Sequence, residues 1–147
     1  MNIFDLTEKH IAVTGASSGF GHHFAGVLSA AGAKVSLGAR RKEKVLNRVA
    51  ELNASGFEAI GMQLDIRDPS SIDDFLESAE ATYGPVDVII NNAGVESGAK
   101  TFLTIEEEDW DYVLDTNLKG AWMVSKKYSE RLIKSGHPQG NIINISS

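Results

Sequence analysis

The chain has 147 residues, with 14 Lys and Arg against 20 Asp and Glu, a formal net charge of −6, 42% hydrophobic residues and no cysteine. This predicts one domain with a real core (residues 1–147) and argues against nucleic acid, whose phosphates call for a basic face; the lack of thiols excludes disulfides and thiolate metal or catalytic sites. No apolar run approaches the ~18 residues of a membrane span and the first eight residues are too polar for a signal peptide, so no membrane partner and a cytoplasmic setting are expected.

Ile11-Ala12-Val13 reads as a first strand running into Thr14-Gly15. A helical pattern follows, with Phe20, Phe24, Val27, Leu28 and Ala31 on one face and Gly32 at its end. Val35-Ser36-Leu37 is a second strand, and a charged helix from about Lys42 to Asn53 turns Val45, Leu46, Val49 and Leu52 inward. Gly56 closes that helix, and Ala59 to Leu64 is a third strand. Asp68-Pro69 is a strong helix start, because Asp can accept from free N–H groups and Pro suits the first helical position. Its inward stripe is Ile72, Phe75, Leu76 and Ala79, and Gly84-Pro85 stops it.

Val86 to Ile90 is a fourth strand, almost continuously apolar, as a strand buried on both faces should be. After a loop from Gly94 to Leu103, Thr104 and Glu107 predict a capping box opening the longest helix, to about Lys134. Acids at its start (Glu106 to Asp109) and bases at its end (Lys126, Lys127, Arg131, Lys134) suit the helix dipole. Its expected inward face carries Trp110, Val113, Leu114, Leu118, Ala121 and Tyr128, with Asn117 among them. Ile142 to Ile145 is a fifth strand. Five buried strands separated by helices predict a parallel sheet covered on both faces, an α/β fold.

The turn between the first strand and helix reads Thr14-Gly15-Ala16-Ser17-Ser18-Gly19-Phe20-Gly21. Gly15 can make the sharp turn, Gly19 can let the backbone approach a pyrophosphate, and Gly21 can let the helix pack closely on the sheet. A helix N-terminus supplies oriented N–H groups and positive potential for phosphates, and Ser17 and Ser18 add hydroxyls. His22 and His23 are adjacent on a helix and point about 100° apart, so they cannot share a metal as an i, i+4 pair could; no metal site is expected.

The G-x-x-x-G-x-G spacing resembles that of the short-chain dehydrogenase/reductase family. Further stretches match in order: Asp65-Ile66 after the third strand, Asn91-Asn92-Ala93-Gly94 after the fourth, Asp115 to Gly120 in the long helix, and Asn144-Ile145-Ser146-Ser147 at the end. The resemblance implies a Rossmann-type doubly wound sheet in three layers, strand order 3-2-1-4-5, with later strands beyond this chain. It implies dinucleotide contacts at Gly15, Ser17, Ser18, Gly19, Phe20, Gly21, Asp65, Ile66, Asn92, Ala93 and Gly94, and a substrate border nearby at which Val95 and Phe102 either line a pocket or serve in packing.

The end of the second strand selects the dinucleotide. An acid there bonds a free ribose 2′-hydroxyl, whereas an Arg accommodates a 2′-phosphate. Here Ala39 stands where relatives preferring NAD carry Asp, and Arg40 and Arg41 follow. Cations opening a helix oppose its dipole, so a merely solvated face leaves them unexplained. NADP(H) is expected over NAD(H).

The family reaction is hydride transfer between nicotinamide and a carbonyl or alcohol carbon. By resemblance, Asn117 holds a water in a proton relay, and Ser147 (with Ser146 as the alternative) holds the substrate oxygen. A Tyr with a Lys four residues on completes the chemistry, and no tyrosine here has one: Tyr83 has Asp87, Tyr112 has Thr116 and Tyr128 has Leu132. The chain therefore reads as the first part of such an enzyme, C-terminally incomplete and inactive alone. Its fifth strand would be left an apolar edge, prone to foreign pairing. Alternatives are a non-catalytic dinucleotide-binding module, or another Rossmann-type enzyme such as an epimerase or methyltransferase, which the glycine spacing disfavours. Family members often pair through the long helix, so the segment 106–134 is a plausible homo-oligomer surface.

Overall fold

The computed structural model describes residues 3–146. The elements are β1 (His10–Thr14), α1 (Gly19–Ala30), β2 (Lys34–Ala39), α2 (Lys42–Ala54), β3 (Ala59–Gln63), α3 (Pro69–Tyr83), β4 (Val88–Asn91), α4 (Glu107–Leu114), a π-helical segment (Asp115–Gly120), α5 (Ala121–Ser135) and β5 (Asn141–Asn144). All strand pairings are parallel, and the sheet order is β3-β2-β1-β4-β5. The expected α/β, doubly wound arrangement is what the chain adopts.

Strand alternation divides the core between the two faces. Ile11, Val13, Val35, Leu37 and Ile90 join Ala25, Val45 and Leu52 of α1 and α2. Ala12 and Ile89 join Ile72, Phe75, Leu76 and Ala79 of α3, and Val124 and Tyr128 of α5. The result is three layers: α1 and α2, the sheet, then α3 and α5. No described helix is long and apolar enough to cross a membrane.

The Asp68 cap forms as expected, its carboxylate accepting from Ser70 N–H at 2.9 Å with Pro69 opening α3. Elsewhere the periodic reading needs correction. In α1 the buried positions are Gly21, Ala25 and Ser29, while Phe20 and Val27 face solvent; small residues let this helix lie close to the sheet. Leu46 of α2 is also exposed.

The capping box is shifted: Glu106 is the cap and its partner is Asp109, not Thr104 and Glu107. Thr104 instead closes a turn, its Oγ1 accepting from Thr101 N–H. The expected uninterrupted helix 106–134 is broken by the π-helical segment. Of the expected inward face, Trp110, Leu114 and Leu118 are exposed and with Trp122 form an apolar stripe, whereas Tyr128 is buried as expected, and Thr116, Gly120 and Val124 are buried too.

Asp87 fastens the end of the sheet away from the β1–α1 turn. Its carboxylate accepts from the backbone N–H of His10 at 2.9 Å and meets Lys9 and His137. Its carbonyl accepts from Asn141 N–H and the Tyr128 hydroxyl. Burial of Asp87 works against its charged form, but the His10 N–H, His137 and Lys9 outweigh it and hold the carboxyl below its usual value.

Candidate functional site

In this sheet, β2 and β4 flank β1, so the chain leaves the C-terminal ends of β1 and β4 in opposite directions. That switch point is where doubly wound sheets hold ligands, and a cleft of about 480 Å³ opens there. It is lined by Gly15, Ser17, Ser18, Phe20, Arg40, Arg41, Asp65, Ile66, Asn92, Ala93 and Gly94, together with Ala39, Leu64, Arg67, Val95 and Thr116. Sequence reasoning thus brought together residues from four separate turns.

Close backbone approach builds the floor. Gly15 has φ +71°, and a Cβ on it would lie 2.7 Å from Ala93 Cα. A Cβ on Gly21 would lie 2.5 Å from Gly15 O and 2.6 Å from Asn92 Nδ2. Asn92 laces the two turns by donating through Nδ2 to the carbonyls of Thr14 and Gly15. Thr14 completes the seam, its Oγ1 accepting from the N–H groups of Asn92 and Ala93 at 3.1 and 3.0 Å. Thr14 was missed as a site residue; a hydroxyl immediately before the first glycine was the available signal.

Around Gly19, by contrast, the space that a Cβ would occupy is open. Ser18 precedes α1 but makes no side-chain cap, so the helix N-terminus keeps donors for an anion. The Ser17 and Ser18 hydroxyls accept from Arg41 at 2.9 and 2.6 Å from Nη2, and each hydroxyl hydrogen can still be given. Arg40 behaves differently: its Nη1 donates to the Tyr112 hydroxyl at 2.7 Å. Fixed donors, two guanidinium groups and open space over Gly19 suit a phosphate-bearing dinucleotide.

Asn117 sits in the π-helical segment and is exposed, not buried on an inward face. Its Oδ1 accepts from Val95 N–H and its Nδ2 donates to Val95 O. The loop beyond does not close over the cleft by way of Phe102, which is 92% exposed. Ser147 lies outside the described residues, and Ser146 is exposed. Each tyrosine has another engagement: Tyr128 donates to Asp87 O, Tyr83 stands edge-on to His10, and Tyr112 holds Arg40. Among the described residues no three His, Asp or Glu side chains converge as a metal site would need.

A glycine turn packed against the loop after β4, at the point where strand order reverses, marks a doubly wound nucleotide-binding fold. The chain belongs to the short-chain dehydrogenase family, whose model matches residues 9–147. It is 36% identical over 140 residues to the 3-oxoacyl-(acyl-carrier-protein) reductase FabG of Escherichia coli (strain K12), covering 95% of this chain and 54% of that protein. It is 34% identical over 143 residues to a short-chain type dehydrogenase/reductase of Picea abies, covering 92% and 52%. A crystal structure of a short-chain type dehydrogenase/reductase from Mycobacterium marinum superposes with a TM-score of 0.92 at 27% identity, over 99% of this chain and 58% of that one. The chain spans about half the length of the curated relatives it matches.

Proposed function

We propose that this chain is the cofactor-binding part of an NADP(H)-dependent oxidoreductase that transfers hydride between nicotinamide and a carbonyl or alcohol carbon. One observation carries the reading: Arg40 and Arg41, directly after β2, line the cleft where an acid would select a free ribose, and Ala39 offers none. The glycine turn and the α1 N-terminus would hold the pyrophosphate. Asp65 and Ile66 would flank the adenine, and Asn92, Ala93 and Gly94 the nicotinamide half. The name of the Escherichia coli relative, a 3-oxoacyl reductase, supports a carbonyl substrate.

Asn117 and Ser147 are proposed for the proton relay and for holding the substrate oxygen. The Asn117 amide is committed to Val95, which leaves one Oδ1 lone pair and one Nδ2 hydrogen for a water. No tyrosine in these 147 residues has a lysine four places on. The purified chain should therefore bind NADPH yet oxidise it no faster than buffer with any carbonyl compound. A second reading, a dinucleotide-binding module without turnover, is favoured by the engagement of all three tyrosines elsewhere.

Calorimetric titration with NADPH and NADH tests the cofactor assignment. NADPH should bind more tightly, and Arg40→Ala should reduce that preference roughly tenfold, as loss of a charge-assisted phosphate contact does. Equal affinities for the two cofactors would overturn it. A second copy of the chain is proposed as the partner of the stripe Trp110, Leu114, Leu118 and Trp122.

A further inference from the structure

We infer that Tyr112 is a positioning residue that sets the cofactor preference by holding Arg40 over the adenosine end of the cleft. The inference rests on the cofactor reading above.

Arg40 follows β2, Arg67 follows β3 and Tyr112 belongs to α4, which comes after β4. Three distant segments therefore meet on one phenol. The Tyr112 hydroxyl accepts from Arg40 Nη1 at 2.7 Å. The Arg67 guanidinium lies over the Tyr112 ring at 4.9 Å, and its Nη2 reaches Asp65 at 3.5 Å. The helix is brought here by the π-helical segment, where Gly120 packs directly on Ile66; a Cβ on Gly120 would lie 2.8 Å from Ile66 Cδ1. Thr116 ties the widened turn back to Tyr112, donating from Oγ1 to its carbonyl at 2.8 Å.

The geometry suits a 2′-phosphate. A guanidinium grips an oxyanion best through two parallel N–H bonds from one edge. Tyr112 takes only Nη1 of Arg40, so the Nε–Nη2 edge can face the ligand in a preset orientation. Arg41 cannot play this part without giving up Ser17, because Nε and Nη2, its corresponding edge, already donate to that hydroxyl. The Arg40 carbonyl is also held, accepting from Gln63 Nε2 at 3.2 Å, so the segment is fixed at both backbone and side chain. A long arginine side chain otherwise loses substantial rotamer freedom on binding, and a preset one loses less.

The test is titration of the full chain and its Tyr112→Phe variant with NADPH, NADH, 2′,5′-ADP and 5′-AMP. Tyr112→Phe keeps the ring under Arg67 and removes only the acceptor. It should weaken NADPH and 2′,5′-ADP three- to tenfold, the range of one hydrogen bond, and leave NADH and 5′-AMP unchanged. A parallel loss for all four ligands would show a structural role and overturn the inference. So would unchanged binding, or a gain for all four, which would make the Arg40–Tyr112 bond a barrier across the slot. Failure of the unsubstituted chain to bind either cofactor would overturn the underlying reading instead.

Discussion

Asn117 holds Val95 by both of its backbone groups: Oδ1 accepts from Val95 N–H and Nδ2 donates to Val95 O, each at 2.8 Å. One side-chain amide thus takes the place of a neighbouring strand for the first residue beyond Asn92-Ala93-Gly94. A Cβ on Gly94 would approach Asn117 Oδ1 at 3.3 Å, so the approach of loop and helix is close. The loop after β4 is therefore tied to the π-helical segment at Val95, just beyond the seam that Thr14 makes with Asn92 and Ala93.

Asn117→Ala removes both bonds. It should cost about 1–2 kcal/mol of stability and speed hydrogen exchange at the Val95 amide by roughly tenfold. Asn117→Asp keeps the acceptor but turns a second oxygen toward the Val95 carbonyl, and should be at least as destabilising. Exchange measured by mass spectrometry or NMR checks both; unchanged exchange at Val95 would show that the loop is held by other contacts.

Two glycines of the first turn should respond differently. Gly21→Ala meets Gly15 O and Asn92 Nδ2 and should lower stability by about 1–3 kcal/mol, the usual cost of overpacking. Gly19→Ala meets nothing, but its φ of +58° is left-handed, so about 1 kcal/mol is expected. Its larger effect should be on NADPH affinity, because the new methyl enters the space proposed for the pyrophosphate. Urea unfolding and cofactor titration separate the two quantities.

His10 gives the fold a pH dependence. It is buried, with Nδ1–H donating to Gly84 O at 2.9 Å and Nε2 2.8 Å from Ser36 Oγ. Burial lowers its pKa from the ordinary 6.5, outweighing the carbonyls of Gly84 and Pro85 and the charges of Asp87 and Glu80. The folded chain thus binds fewer protons at this site than the unfolded chain. This contribution is complete above about pH 6.5 and is lost as pH falls through 6.5 toward the lower folded value. Asp87, also lowered, acts in a separate window, from its ordinary value near 3.8 downward. Unfolding free energy measured at several pH values from 7.5 to 5 should decline, and His10→Gln should flatten part of that decline.

The stripe on α4 and α5 predicts self-association. Trp110, Leu118 and Trp122 are each more than half exposed, and an apolar row of this kind fits an isologous contact with a second copy. Leu118→Glu should shift sedimentation toward the monomer without changing NADPH affinity. Monomeric behaviour of the unsubstituted chain at high concentration would rule the interface out.

The strands and most helix starts are legible in the sequence because they rest on local signals, whereas the sheet order and the cleft residues beyond the glycine turn come from the family resemblance. Runs such as Val88 to Ile90 can only be buried strands, and Asp68-Pro69 announces a helix start. The long helix departs from its expected form because Asp115–Gly120 does not keep a period of 3.6 residues, and Trp110 and Leu114, ahead of that segment, face solvent although they are apolar. The widened turn coincides with the packing of Gly120 on Ile66, a contact between segments far apart in the chain that no local period shows. The capping box was misplaced because four consecutive acids, Glu106 to Asp109, leave the frame undetermined. Thr14 and Tyr112 were missed for a related reason: their partners lie 78 and 72 positions away, and no spacing rule reaches so far.

Asp87 stands at the foot of the sheet, whereas the glycine turn and its arginines stand at the top. One carboxylate and one carbonyl there join β1, β4, β5 and α5. Ligand choice is consequently confined to one pole of the strands, while the opposite pole bears on durability alone. Substitutions at the lower pole should alter how long the protein lasts with little effect on what it binds, whereas those at the upper pole should bear on both.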